Sequence, residues 1–360
     1  MMFTLISYIP FYIQTYELQQ YHVYISMGLK GVCILLFFFI LIFEKYNGRD
    51  IFIIVCLFLF AIISKNMLFI LVGLILISTK EMSERIVVER YFYINLLLIL
   101  SVLLLYYMGF LPDVELVKHY EKSTGHLRKT LGFINPNTFF VKMIPLIMSY
   151  VYLKYENWNF KNTLILIIVI FIGFLVTGSR TGTFANLLLL IYIYCFKCFN
   201  NLIFNQIFLR IIFKINFFVL TWITILLAHI DNENNILNIV LSRRPLYWSK
   251  FIEEGVFSLL FFFGRKKIEM LAKYPLDNGY LAILIYGGLL SFLFFNHIYM
   301  KGITQIIEER KAKIIIIILY ISIYSLFEDV LLNILLNFSW IILYKRIGTN
   351  TEGEDENDEQ

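Results

Sequence analysis

Charge, cysteine and proline are all scarce in this chain. Charged residues make up 16% of the sequence, against about 25% in an ordinary soluble domain. That shortage excludes a soluble enzyme and a nucleic-acid binder, both of which need a largely polar surface. Four cysteines are too few for a secreted disulfide scaffold. Cys33 and Cys56 sit inside apolar blocks, where cysteine behaves as a small hydrophobe. Cys195 and Cys198 form a lone C-x-x-C with no second Cys/His pair to complete a four-ligand site, so neither a metal nor a redox centre is expected. No glycine-rich P-loop is visible and no cofactor is expected. With only six prolines, long helical runs go uninterrupted.

Apolar sequence takes the place of what is missing. Hydrophobic residues reach 59%, with 36 Phe and 24 Tyr, and the mean hydropathy is +0.75. A soluble globule cannot hide so much apolar surface, and the apolar residues come in blocks long enough to cross a bilayer. The fold class expected is an all-α polytopic membrane protein with about twelve transmembrane helices (ten to twelve). Spans are placed near 3–16, 24–43, 50–64, 66–79, 91–110, 134–153, 162–178, 182–199, 211–230, 279–300, 313–327 and 330–345. Residues 1–350 read as one integral membrane domain. Residues 351–360 carry six acids and read as a solvated cytoplasmic tail, leaving +11 on the rest of the chain. No small-residue cleavage site follows the first apolar block, so no cleavable leader is expected.

Basic residues in short loops set orientation. With both termini cytoplasmic, the short inner loops hold sixteen of the thirty-one Lys and Arg residues, Lys45, Arg49, Lys80, Arg310 and Arg346 among them. Most of the others fall in two longer loops, 111–133 and 231–278, which this arrangement puts outside the cytoplasmic membrane. Chemistry is expected on that face, because the inner loops are too short to hold a catalytic unit.

Several outer segments could carry it. Thr177-Gly178-Ser179-Arg180-Thr181-Gly182 lies between two apolar spans. Its glycines would let backbone N–H groups approach a ligand, its hydroxyls add donors, and arginine matches phosphate oxygens bidentately. The plainer reading is a tight turn with a snorkelling arginine. Gly132-Phe133-Ile134-Asn135-Pro136-Asn137-Thr138 closes the first long loop, with Asn135 or Asn137 as a helix cap and Pro136 in the first turn. Before it come His119, His126 and Arg128.

In the second long loop, Ile236, Ile239, Arg244, Trp248 and Phe251 recur at roughly helical spacing. They suggest an interfacial amphipathic helix with Arg243 and Arg244 projecting near the membrane surface. Arg265-Lys266-Lys267 adds a basic cluster whose plainer reading is a solvated face or a lipid-headgroup contact. The loop ends in Asp277-Asn278-Gly279-Tyr280-Leu281, where Asp277 is either a helix cap or a general base. Glu328-Asp329 interrupts the last apolar pair, as a solvated hairpin tip or as partners for Arg180 or Arg244.

Taken in order, these segments resemble the O-antigen ligase/polymerase superfamily, and within it most of all the Wzy-type polymerases of capsule and exopolysaccharide pathways. The resemblance runs from residue 128 to about 330 and rests on Gly132-Phe133-x-Asn135-Pro136-Asn137-Thr138, Gly178-Ser179-Arg180-Thr181-Gly182, Ser242-Arg243-Arg244-x-x-x-Trp248 and Asp277-Asn278-x-Tyr280-Leu281 with the later Gly-Gly. It implies inverting, metal-independent glycosyl transfer on the outer leaflet. Donor and acceptor would be oligosaccharide units linked to polyprenyl pyrophosphate. A flippase and a chain-length regulator would be pathway partners, and nucleic acid would not.

By the same resemblance Arg180, Arg244 and Asp277 would be catalytic. Arg243, Ser179, Thr181, Arg128, Asn135, Asn137, Asn278 and Glu328 would line the pyrophosphate and glycan site. The ligase branch has a histidine where this chain has Asp277, which favours a polymerase over a ligase. His119, His126 and Glu328 remain rival bases. A transporter of the lipid-linked glycan is the alternative from another class.

Overall fold

The computed structural model describes residues 28, 31–32, 35, 39, 42–64, 66–111, 128–133, 135–230, 236, 238, 241, 243–253, 262 and 276–347. Among them the regular elements are all helices: α1 Gly48–Ser64, α2 Leu68–Ser78, α3 Glu84–Tyr107, α4 Pro136–Lys154, α5 Phe160–Thr177, α6 Arg180–Asn205, α7 Ile207–Leu227, α8 Arg244–Phe251, α9 Gly279–Glu308, α10 Ala312–Tyr324 and α11 Ser339–Arg346. Five of them (α3, α5, α6, α7 and α9) are long and apolar enough to cross a membrane, and α2 and α10 are shorter apolar helices. A polytopic membrane protein follows. The expected spans 3–16 and 24–43 fall outside the described residues apart from isolated positions, as do the tail and most of both long loops.

Helix starts follow ordinary capping chemistry. Ser83, Asn135, Asn159 and Asn278 each accept a backbone N–H three residues on, satisfying a donor that the first turn leaves open. Pro136 adds a fixed φ in the first turn of α4. α5 stops at Gly178, whose φ of +59° is left-handed and closes the last turn through its N–H on Phe174 O.

α9 is the central helix. In its most apolar window 61% of residues are buried, against 28–33% for the other four long helices. Those four turn apolar side chains such as Phe171, Leu175, Ile191 and Trp222 outward, as lipid-facing helices do. Small residues set the helix spacing. Phe140 of α4 lies between Gly173 of α5 and Gly182 of α6, where a Cβ on Gly182 would come within 2.5 Å of the Phe140 Cβ.

The last expected span, 330–345, is not one helix. After α10 the chain runs irregularly from 325 to 338 before α11, although ten of these fourteen residues are buried. Side chains take up its carbonyls: Tyr91 Oη donates to Ile334 O, while Trp340 Nε1 and Asn337 Nδ2 both donate to Leu331 O. Irregular backbone can persist at membrane depth when protein groups satisfy it in this way. α9 is also broken, at Gly288 (φ 71°, ψ −175°).

One end of the bundle is tied by ion pairs. Asp50 accepts from Tyr344 Oη at 2.5 Å and pairs with Lys80 at 3.2 Å. Arg346 bridges Glu84 at 2.7 Å and Glu309 at 2.8 Å. These bonds join α1, α2, α3, α9 and α11.

Candidate functional site

The opposite end gathers the residues singled out by the sequence motifs. The turn between α5 and α6 is its centre. Thr177 Oγ1 bonds back to Gly173 O at 2.7 Å and Ser179 N donates to Thr177 Oγ1, so the turn is braced from within. Ser179 is fully buried, and its Oγ has no hydrogen-bond partner in the structure. Arg180 opens α6 with an exposed side chain.

Two guanidinium groups meet this turn. Arg128 Nε donates to Thr177 O at 2.8 Å and its Nη2 to Asn137 Oδ1 at 3.1 Å. Its stem packs over Gly178, where a Cβ would stand 3.1 Å from Arg128 Nε. Gly178 is therefore needed for its left-handed backbone and for the arginine above it. Gly182 serves the helix contact with Phe140, a packing role in place of the ligand access its spacing suggested. Asn135 is the α4 cap, which leaves Asn137 to hold Arg128.

Arg244 comes from the far side. Its Nη1 donates to Thr181 Oγ1 at 2.9 Å and its Nη2 to Glu328 Oε1 at 2.9 Å, and Nε stands 3.9 Å from Asp277 Oδ2. The side chain is 7% exposed. The expectation that Arg244 projects near the membrane surface is thus corrected: α8 buries Arg244, Trp248 and Phe251 on one face, against protein. Arg243, immediately before the helix in a left-handed conformation (φ 61°), is the exposed member of the pair. Glu328 pairs with Arg244 and not with Arg180.

Asn238 was missed by motif reasoning. It is buried, accepts from Leu246 N at 3.0 Å and donates to Ile230 O at 2.9 Å, so it pins the start of α8 to the end of α7. An asparagine among isoleucines was the available signal.

Asp277 is not the cap of α9. Asn278 is, accepting from Leu281 N at 2.9 Å. The Asn278 amide also donates to Thr224 Oγ1 of α7 and to Leu326 O, and Gly279 N donates to Ser325 O at 2.8 Å. Gly279 permits this approach, since a Cβ there would stand 2.6 Å from the Leu331 Cβ. Asp277 and Glu328 are therefore carried on two segments bonded to each other.

Burial raises the Asp277 pKa above the usual carboxylate value, with Arg244 opposing. Burial also raises Glu328, with the Asp277 charge adding to it and Arg244 again opposing. Such carboxylates hold protons more tightly than free ones, which suits a general base. Trp248 Nε1 is buried nearby in sequence to Arg244 and makes no hydrogen bond. His119, His126, Ser242 and the Arg265-Lys266-Lys267 cluster lie outside the described residues.

No family model matches the chain, and no curated protein or solved structure matches it either.

Proposed function

We propose that this protein is a polysaccharide polymerase of the cytoplasmic membrane. It joins oligosaccharide repeat units carried on polyprenyl pyrophosphate, on the outer face, with both termini cytoplasmic. The observation that carries the proposal is the Thr177–Thr181 turn held between Arg128 and Arg244, beside the carboxylates of Asp277 and Glu328. Preorganised cations next to a carboxylate base are what glycosyl transfer from a pyrophosphate donor requires.

In this reading an acceptor hydroxyl attacks the anomeric carbon of the donor. The carbon–oxygen bond to pyrophosphate breaks and its electron pair leaves with the pyrophosphate. Arg180, exposed at the start of α6, and Arg244 stabilise the charge that grows there. Asp277 takes the proton of the hydroxyl. Ser179, Thr181 and the open N–H groups of the first turn of α6 add donors to the same oxygens. The flippase and chain-length regulator of the pathway are the proposed partners.

A transporter of the same lipid-linked glycan is a second reading, favoured by one observation. α9 is broken at Gly288, and 325–338 is irregular yet buried; discontinuous helices of this kind build transport sites. One experiment separates the two. Cells lacking the gene accumulate single repeat units on the lipid carrier at the outer face if the protein is a polymerase, and at the cytoplasmic face if it is a transporter. Long lipid-linked polymer would mark a ligase.

A further inference from the structure

Two carboxylates converge on one guanidinium at unequal distances. Glu328 Oε1 is 2.9 Å from Arg244 Nη2, whereas Asp277 Oδ2 is 3.9 Å from Arg244 Nε. That Nε is buried and makes no hydrogen bond. A shift of about 1 Å would bring Asp277 into full hydrogen-bonding distance. What holds Arg244 back is the pair of bonds at its far edge, to Glu328 and to Thr181 Oγ1. Glu328 in turn is fixed from beneath, because Asn278 Nδ2 holds Leu326 O at 2.9 Å and Gly279 N holds Ser325 O at 2.8 Å.

We infer that Glu328 is a positioning residue: it keeps Arg244 aimed at the Ser179–Thr181 turn and off Asp277, so that the Asp277 carboxylate is left able to take a proton. The inference rests on the polymerase reading. An aspartate fully paired with arginine is a weaker base, since the opposite charge favours its ionised form. Without Glu328, Arg244 closes on Asp277 and the proton of the acceptor hydroxyl has no destination. Donor binding through Arg180 and the turn persists, because Glu328 in this assignment acts on Arg244 and not, as the family resemblance implied, on the pyrophosphate and glycan.

The test uses the full chain purified in detergent, with the lipid-linked repeat unit extracted from cells lacking the gene as substrate. Rates are taken per folded molecule. Glu328→Gln keeps the size of the side chain and one acceptor oxygen but removes the charge. It is expected to lower kcat by about tenfold or more while KM for the lipid-linked unit stays within about twofold. Glu328→Asp restores the charge one methylene short and is expected to recover part of kcat at the same KM. If Glu328→Gln does not fold, a lowered kcat at unchanged KM in Glu328→Asp gives the same answer.

A KM raised about tenfold with kcat unchanged would place Glu328 on the substrate and overturn the inference. A wild-type rate in Glu328→Gln would overturn it too, and would leave the polymerase reading standing. Failure of the wild-type protein to lengthen the unit would remove both.

Discussion

Arg244 Nη2 and Glu328 Oε1 lie 2.9 Å apart across 84 residues of chain, and both side chains are largely buried. Breaking such a pair from one side strands the other charge, at a cost of about 3–5 kcal/mol. Arg244→Ala is therefore expected to lower the unfolding temperature in detergent sharply as well as to end polymerisation. Arg243→Ala, one residue away on the exposed surface, is expected to change stability by about 0.5 kcal/mol or less. Equal melting temperatures for the two variants would contradict the burial difference.

This pair also marks where sequence reasoning stops. Arg243 and Arg244 are adjacent, so composition and spacing treat them alike. Only the left-handed turn at Arg243 and the packing of Trp248 and Phe251 send one side chain inward and leave the other in solvent. Helix starts were readable to within a residue because capping is local: Asn135, one of two asparagines the sequence offered, caps α4, whereas α9 is capped by Asn278 and not by the Asp277 beside it. The 325–338 segment was not readable. Its apolar run from Val330 to Leu336 reads as part of a span, and its irregular backbone persists because Tyr91, Asn337 and Trp340 take up its carbonyls. Two of these three donors lie within or just beyond the segment, but the third comes from α3, more than two hundred residues earlier.

Gly182 tests the division between packing and ligand roles. A Cβ there would stand within 2.5 Å of Phe140 Cβ. Gly182→Ala should therefore destabilise by about 1–3 kcal/mol, the usual range for overpacking a fitted core. Adding Phe140→Leu, which keeps the Cβ and Cγ that a Cβ on Gly182 would meet, is not expected to recover that loss. If Gly182→Ala folds as well as the parent protein and only substrate affinity falls, the glycine serves the ligand instead of α4.

Asp277 makes a prediction in pH. Its pKa is raised because burial disfavours the carboxylate, and Arg244 offsets only part of that. The charged groups that face it are Arg244 from α8 and Glu328 and Asp329 from the 325–338 segment. A base works only when deprotonated, so activity should fall as pH drops through the raised value. The acid limb of the kcat/KM profile is then expected above the ordinary aspartate range of about 3.9. Asp277→Asn should abolish that limb together with activity. A profile flat down to the ordinary range would exclude Asp277 as the base.

The break in α9 gives the last prediction. Gly288 adopts φ 71° and ψ −175°, a conformation open almost only to glycine. Alanine there must either hold strain of about 1–3 kcal/mol or let α9 straighten. The half-helix Gly279–Gly287 carries Asp277 and Asn278 at its free end, and the bonds of Asn278 to Thr224 and Leu326 and of Gly279 N to Ser325 O fix the geometry around Arg244. Straightening would swing that end away from α7 and the 325–338 segment. Gly288→Ala is therefore expected to lose polymer formation out of proportion to its fall in melting temperature. Gly48→Ala, at the start of α1 where a Cβ meets nothing within 4 Å, is the matched control and should keep both. Full-length polymer from Gly288→Ala would show that the break is not what sets Asp277 beside Arg244.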